Sequence, residues 1–146
     1  MNLNSPLSAI LRTNCTIIES AADIEIVKSV FDHFPYQYLP VVEGLKFVGV
    51  IMRDEFYQKF VTSNEWFLSA SELISKEVVC LSTENTIAQA KEVFDTKIFD
   101  LIAVTDEDDD LAGVVLREDV ESVIHQKERQ QGVFAEIRRI FSFFSF

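Results

Sequence analysis

Apolar residues recur at helical spacing at Ile24, Val27, Val30 and Phe31, and again at Ile87, Ala90, Val93 and Phe94. Asp23 and Thr86 stand one residue before these stripes and predict helix starts, because a side-chain oxygen there can accept a free N–H of the first turn. Ahead of each stripe a short β-branched segment, 16–19 and 78–82, predicts a strand. Behind the first stripe, apolar runs at 38–42 and 47–52 flank Glu43-Gly44, a hairpin signal. Behind the second, runs at 101–105 and 111–116 flank an acidic turn, and further helices are expected over 53–61 and 117–126. The order is strand, helix, strand, strand, helix, written twice.

The two halves are in register. At an offset of 63 positions Ile10-Leu11 falls on Leu73-Ile74, Lys28 on Lys91, Val30-Phe31 on Val93-Phe94, and Leu39-Pro40-Val41 on Ile102-Ala103-Val104. One residue enters at the next turn, after which Gly49-Val50-Ile51-Met52-Arg53-Asp54-Glu55 overlays Gly113-Val114-Val115-Leu116-Arg117-Glu118-Asp119. A three-stranded sheet with helices on one face must bury its other face against its twin. The expected fold is therefore α/β (α+β): two pseudo-symmetric β-α-β-β-α repeats packed sheet to sheet, with a C-terminal amphipathic helix. Expected boundaries are 7–64 for the first repeat, 69–128 for the second and 132–146 for a hydrophobic tail.

The segments YLPVVEGLKFVGVIMRDEF and LIAVTDEDDDLAGVVLREDV resemble the motif of the cystathionine-β-synthase (CBS) domain. That motif is a hydrophobic-Pro-Val-Val strand, a turn, then Gly-hydrophobic-hydrophobic-Thr/Ser-x-x-Asp. LSAILRTNCTIIESAADIEIVKSVF and ASELISKEVVCLSTENTIAQAKEVF resemble the strand and helix that lead into it, so the likeness covers about residues 7–126. The resemblance implies a tandem pair that binds an adenine nucleotide or a relative (AMP, ADP, ATP or S-adenosylmethionine) between its repeats. It also implies a flat homodimer and regulation of a protein partner. The other function consistent with the resemblance is a pair without ligand, serving as a dimerisation or protein-docking unit.

In liganded members of that family the Thr/Ser hydroxyl faces phosphate and the Asp holds ribose hydroxyls. Here the hydroxyl position is Met52 in one copy and Leu116 in the other, and neither can cap a helix or donate to phosphate. The acid remains as Glu55 and Asp119, and only Asp119 has the family's length. A carboxylate is a charge-assisted acceptor for a vicinal diol, and it equally suits the positive end of a helix. Arg53 and Arg117 follow the lost hydroxyl and could clamp a phosphate bidentately, or pair with nearby carboxylates on the surface. Leu39-Pro40 and Ile102-Ala103 stand where the family walls an adenine ring, and are equally suited to strand core. The second-repeat cleft, with Asp119, Arg117, Ile102 and Ala103, is the expected ligand site.

Charge narrows the partners. Thirteen basic against 24 acidic residues give a net charge of -11, which opposes nucleic acid because a basic footprint is what displaces phosphate counterions. Cys15 and Cys80 stand alone, without zinc-ligand spacing, and a reducing cytoplasm is the expected compartment. The run Asp106-Glu107-Asp108-Asp109-Asp110 lacks EF-hand spacing and reads as a solvated turn, so no metal is expected. His33 and His125 end helices without a nucleophile set around them, so no catalytic residue is expected. Five of the 13 phenylalanines lie in 133–146, where Phe134, Ile137, Ile140, Phe141 and Phe144 form one helical stripe. The acidic body disfavours anionic lipid, so that tail is expected to dock on protein, at the seam of a homodimer, rather than on a membrane.

Overall fold

The computed structural model describes residues 1–62, 68–76 and 79–126, with backbone alone at 61 and 62. The tail expected at 132–146 lies outside the described residues. The elements run β1 (Ile18–Glu19), α1 (Ile24–His33), β2 (Tyr38–Glu43), β3 (Lys46–Met52) and α2 (Arg53–Thr62), then β4 (Cys80–Ser82), α3 (Ile87–Thr96), β5 (Leu101–Thr105), β6 (Leu111–Leu116) and α4 over 117–126. Short 3-10 turns at Leu7–Ala9 and Ala70–Leu73 open the two copies.

The repeat in the sequence is a repeat in space. Each half forms one three-stranded sheet, ordered β1-β2-β3 and β4-β5-β6, parallel at the first pairing and antiparallel at the second. A register shift falls between Val41 and Val42 in one and between Val104 and Thr105 in the other, at matching repeat positions. Both expected caps form: Asp23 accepts from Ile26 N at 3.1 Å, and Thr86 accepts from Gln89 N at 3.2 Å while Gln89 reaches back to Thr86 N. The apolar stripes do what their spacing requires, burying Ile24, Val27 and Phe31 on α1 and Ile87, Ala90 and Phe94 on α3.

The lead-in turns are exchanged. Leu7, at the start of the first copy, is buried among Ile87, Ala90, Phe94 and Val114 of the second. Ala70 and Leu73, at the start of the second, are buried among Ile18, Val27, Phe31 and Ile51 of the first. Backbone bonds fix both crossings: Arg12 and Val114 exchange N–H···O bonds at 2.8 and 2.9 Å, and Ser75 N donates to Val50 O at 2.7 Å. The limits 7–64 and 69–128 thus follow the repeat along the chain, whereas each folded unit is closed by the other copy's first turn. Gly49 and Gly113 make room for these crossings. A Cβ on Gly49 would lie 2.4 Å from Ile74 Cγ2, and one on Gly113 would lie 2.4 Å from the Arg12 carbonyl oxygen.

The sheets meet through β2 and β5. Tyr38, fully buried, donates its hydroxyl hydrogen to Val79 O and accepts from Ala103 N at 3.3 Å, so one side chain of the first sheet satisfies two backbone groups of the second half. Burial pushes the phenol pKa well up. At their far ends the two hairpins also join, with Phe47 N donating to Asp109 O and Leu111 N to Leu45 O.

Candidate functional site

α2 and α4 begin directly at the ends of β3 and β6, where the family's hydroxyl would act as a cap. The backbone supplies the acceptor instead. Arg53 N donates to Gln37 O at 3.0 Å, and Arg117 N to Asp100 O at 2.9 Å. This satisfies the first N–H of each helix, while Met52 is buried and Leu116 lines open space.

The two arginines that follow bind the chain itself. Arg117 donates from Nε to Phe99 O and from Nη2 to Lys97 O, both at 2.7 Å, and lies over the Phe94 ring at 5.0 Å. Arg53 donates from Nη1 to Phe31 O at 2.7 Å and Phe34 O at 3.0 Å, and lies over the Tyr57 ring at 5.3 Å. Each guanidinium satisfies carbonyls left free at the end of α1 or α3 and ties that end to the next helix. The phosphate clamp expected at Arg53 and Arg117 is thus not how their donors are directed here. Leu39, Pro40, Ile102 and Ala103 are buried in the strands.

The acids stand differently from each other. Glu55 Oε1 accepts from Ser75 Oγ at 3.1 Å. Asp119, at the matching position, is held by a fork from Arg12: Nε to Oδ2 at 2.8 Å and Nη2 to Oδ1 at 3.0 Å. The hydrogen bond to Asp119, followed by its charge, holds the guanidinium pKa above its ordinary value. Arg12 and Ser75 are themselves repeat equivalents, each brought to the opposite half by the exchanged lead-in. Sequence reading missed both. The repeat register aligns them, but nothing along the chain says that a lead-in crosses to the other half.

Two hollows flank the first turn of α4. One, of about 430 Å³, is lined by Ile10, Leu11, Arg12, Asp119, Val123 and Gln126, and so lies between the lead-in of the first copy and α4 of the second. The other, of about 490 Å³, is lined by Tyr36, Phe99, Leu101, Leu116 and Glu118 and is more apolar. Both lie in the size range of small-molecule sites. Away from them, carboxylate oxygens of Asp106, Asp108 and Asp110 approach within 4.8 Å of one another, and Lys46 from the other hairpin places its ammonium 3.1 Å from Asp110 Oδ1. The acidic turn thus has a cation of its own chain beside it.

The CBS domain profile matches residues 70–126. In fold the described chain is similar to a CBS domain pair/ACT domain protein from Thermotoga maritima, at 15% identity and a TM-score of 0.71, covering 84% of this chain and 98% of that one. It is also similar to CBSX2 of Arabidopsis thaliana in complex with AMP, at 16% identity, a TM-score of 0.68 and coverage of 84% and 98%. Residues 70–126 match a CBS domain, and the described chain has the fold of a CBS-domain pair. The cytosolic domain of the Mg2+ channel MgtE in complex with ATP is a further neighbour, at 17% identity and a TM-score of 0.65, with 82% of this chain covering 49% of that one. No curated protein matches the chain in sequence. At these identities the likeness to the solved structures is one of fold. Among the described residues no helix is long and apolar enough to cross a membrane.

Proposed function

We propose that this CBS pair is a regulatory module that binds an adenine nucleotide in the hollow between the first copy's lead-in and α4. The observation that carries the reading is the Arg12–Asp119 fork at that hollow. It puts a diol acceptor and an anion receptor side by side in a chain whose net charge of -11 otherwise repels phosphate. The apolar groups Ile10, Leu11 and Val123 supply the surface against which a base can pack. AMP-bound CBSX2 and ATP-bound MgtE, which share the fold, support the ligand class. Glu55, which accepts from the neutral Ser75 hydroxyl and is longer than the family's Asp, is the weaker counterpart. The reading carries no chemical step; the module acts by binding, in the cytoplasm, on a protein partner.

Thermal shift and calorimetry with AMP, ADP, ATP and S-adenosylmethionine test this. A ligand at about 100 times its dissociation constant should stabilise the fold by about 2.7 kcal/mol. Silence across the panel would instead favour the module as a dimerisation or docking unit without ligand. The phenylalanine stripe in the sequence of 133–146 supports self-association, which sedimentation of the full chain against a chain ending at 131 tests.

A further inference from the structure

We infer that Arg12 sets the selectivity of the Asp119 site, restricting it to ligands that present an anionic group together with a vicinal diol. The inference rests on the nucleotide reading above and names the residue that excludes uncharged nucleosides and sulfonium ligands.

Both Asp119 oxygens are engaged by the one guanidinium, through Nε at 2.8 Å and Nη2 at 3.0 Å. A diol can reach that carboxylate in two ways. It can displace the fork, which strips Arg12 of its partner, or it can add beside the fork, which brings the ligand against the remaining guanidinium donors. In both geometries the ligand meets a cation. A nucleoside offers hydroxyl donors to Asp119 and nothing charged to Arg12. A phosphate matches the planar fork and takes over the guanidinium when the carboxylate turns to the diol. A sulfonium ligand such as S-adenosylmethionine brings positive charge to the same place and is opposed.

Two features make Arg12 the deciding group. Among the described residues, Arg12 is the one cationic side chain lining this hollow, and it is 57% exposed while Asp119 is 19% exposed, so the cation faces the ligand's approach. Its place is also fixed by the backbone, since Arg12 and Val114 are bonded in both directions and the Gly113 Cα packs on the Arg12 carbonyl. The guanidinium can swing from carboxylate to ligand without moving the lead-in.

Calorimetry of the full chain with AMP, adenosine and S-adenosylmethionine tests the assignment in the wild type, Arg12→Ala, Arg12→Gln and the remote Lys91→Ala. The wild type and Lys91→Ala should bind AMP at least about tenfold more tightly than adenosine. Both Arg12 variants should bring AMP and adenosine to within about threefold of each other, with S-adenosylmethionine unchanged or improved. Arg12→Gln retains amide donors for Asp119 and guards against loss of the local fold, which melting curves report. Equal affinities for AMP and adenosine in the wild type would overturn the selectivity role and leave the nucleotide reading standing. So would a parallel loss of both ligands in the variants. Absence of binding by all three ligands would remove both readings.

Discussion

Glu55 and Asp119 occupy the same place in the two repeats, yet a serine hydroxyl bonds the first and a guanidinium fork holds the second. The pseudo-symmetry of the fold is thus broken at these two acids, and the asymmetry has measurable consequences.

Asp119→Ala should weaken AMP binding by more than about tenfold, since it removes the charge-assisted acceptor for the ribose. Glu55→Ala should change affinity by less than about twofold. Calorimetry on both variants decides it, and equal losses would reject the assignment to the second-repeat site.

Gly113→Ala forces a methyl group to within 2.4 Å of a backbone oxygen that has no rotamer to escape through. Overpacking of this kind costs about 1 to 3 kcal/mol, and here it also pushes the Arg12 lead-in off β6. Gly113→Ala should therefore lower both denaturant stability and AMP affinity. Gly49→Ala clashes with the Ile74 side chain and has a strained φ of 152°, so it should lower stability while leaving affinity nearly intact.

Tyr38→Phe keeps the ring and removes the hydroxyl that serves Val79 O and Ala103 N. Leaving such buried groups unpaired costs about 1 to 3 kcal/mol, read as a lower urea midpoint. The wild type should also be sensitive to alkali in a defined direction. The folded state holds the Tyr38 proton more tightly than the unfolded chain, so stability is constant below the unfolded tyrosine value, about pH 10, and falls as pH rises above it. Urea titrations at rising pH should show that decline, and it should be shallower in Tyr38→Phe.

Arg117→Lys preserves charge and loses the two-pronged contact with the Lys97 and Phe99 carbonyls. An ammonium cannot reproduce the planar fork, and the loss should be about 1.5 to 3 kcal/mol of stability. AMP affinity should remain within about twofold of wild type, because the wild-type donors are already committed to the chain.

Much of this architecture was legible in the residues themselves. The helix stripes at Ile24 and Ile87, the caps at Asp23 and Thr86 and both hairpins follow from local periodicity and turn chemistry, and all of them formed. The site was legible only in part. The Asp119 position could be read because the repeat is in register, but its partner Arg12 could not. The contact between them spans 107 positions and depends on the exchange of the lead-in turns. The partners of Arg53 and Arg117 were illegible for a related reason. Their motif position suggests an anion, whereas free carbonyls at the ends of α1 and α3, invisible in sequence, compete for the same donors. Leu39, Pro40, Ile102 and Ala103 were compatible with core or wall from the outset, and all four are buried in the strands.

The exchange of lead-in turns also settles how the molecule comes apart. Leu7 completes one core, and Ala70 with Leu73 completes the other, so each half carries away its neighbour's plug when it loosens. A fragment ending near 62 would retain the plug for the missing half and lack its own, and a fragment beginning near 68 would suffer the mirror-image defect. Melting should accordingly be a single cooperative transition, with neither repeat surviving the loss of the other, and the two fragments should recover structure only when mixed.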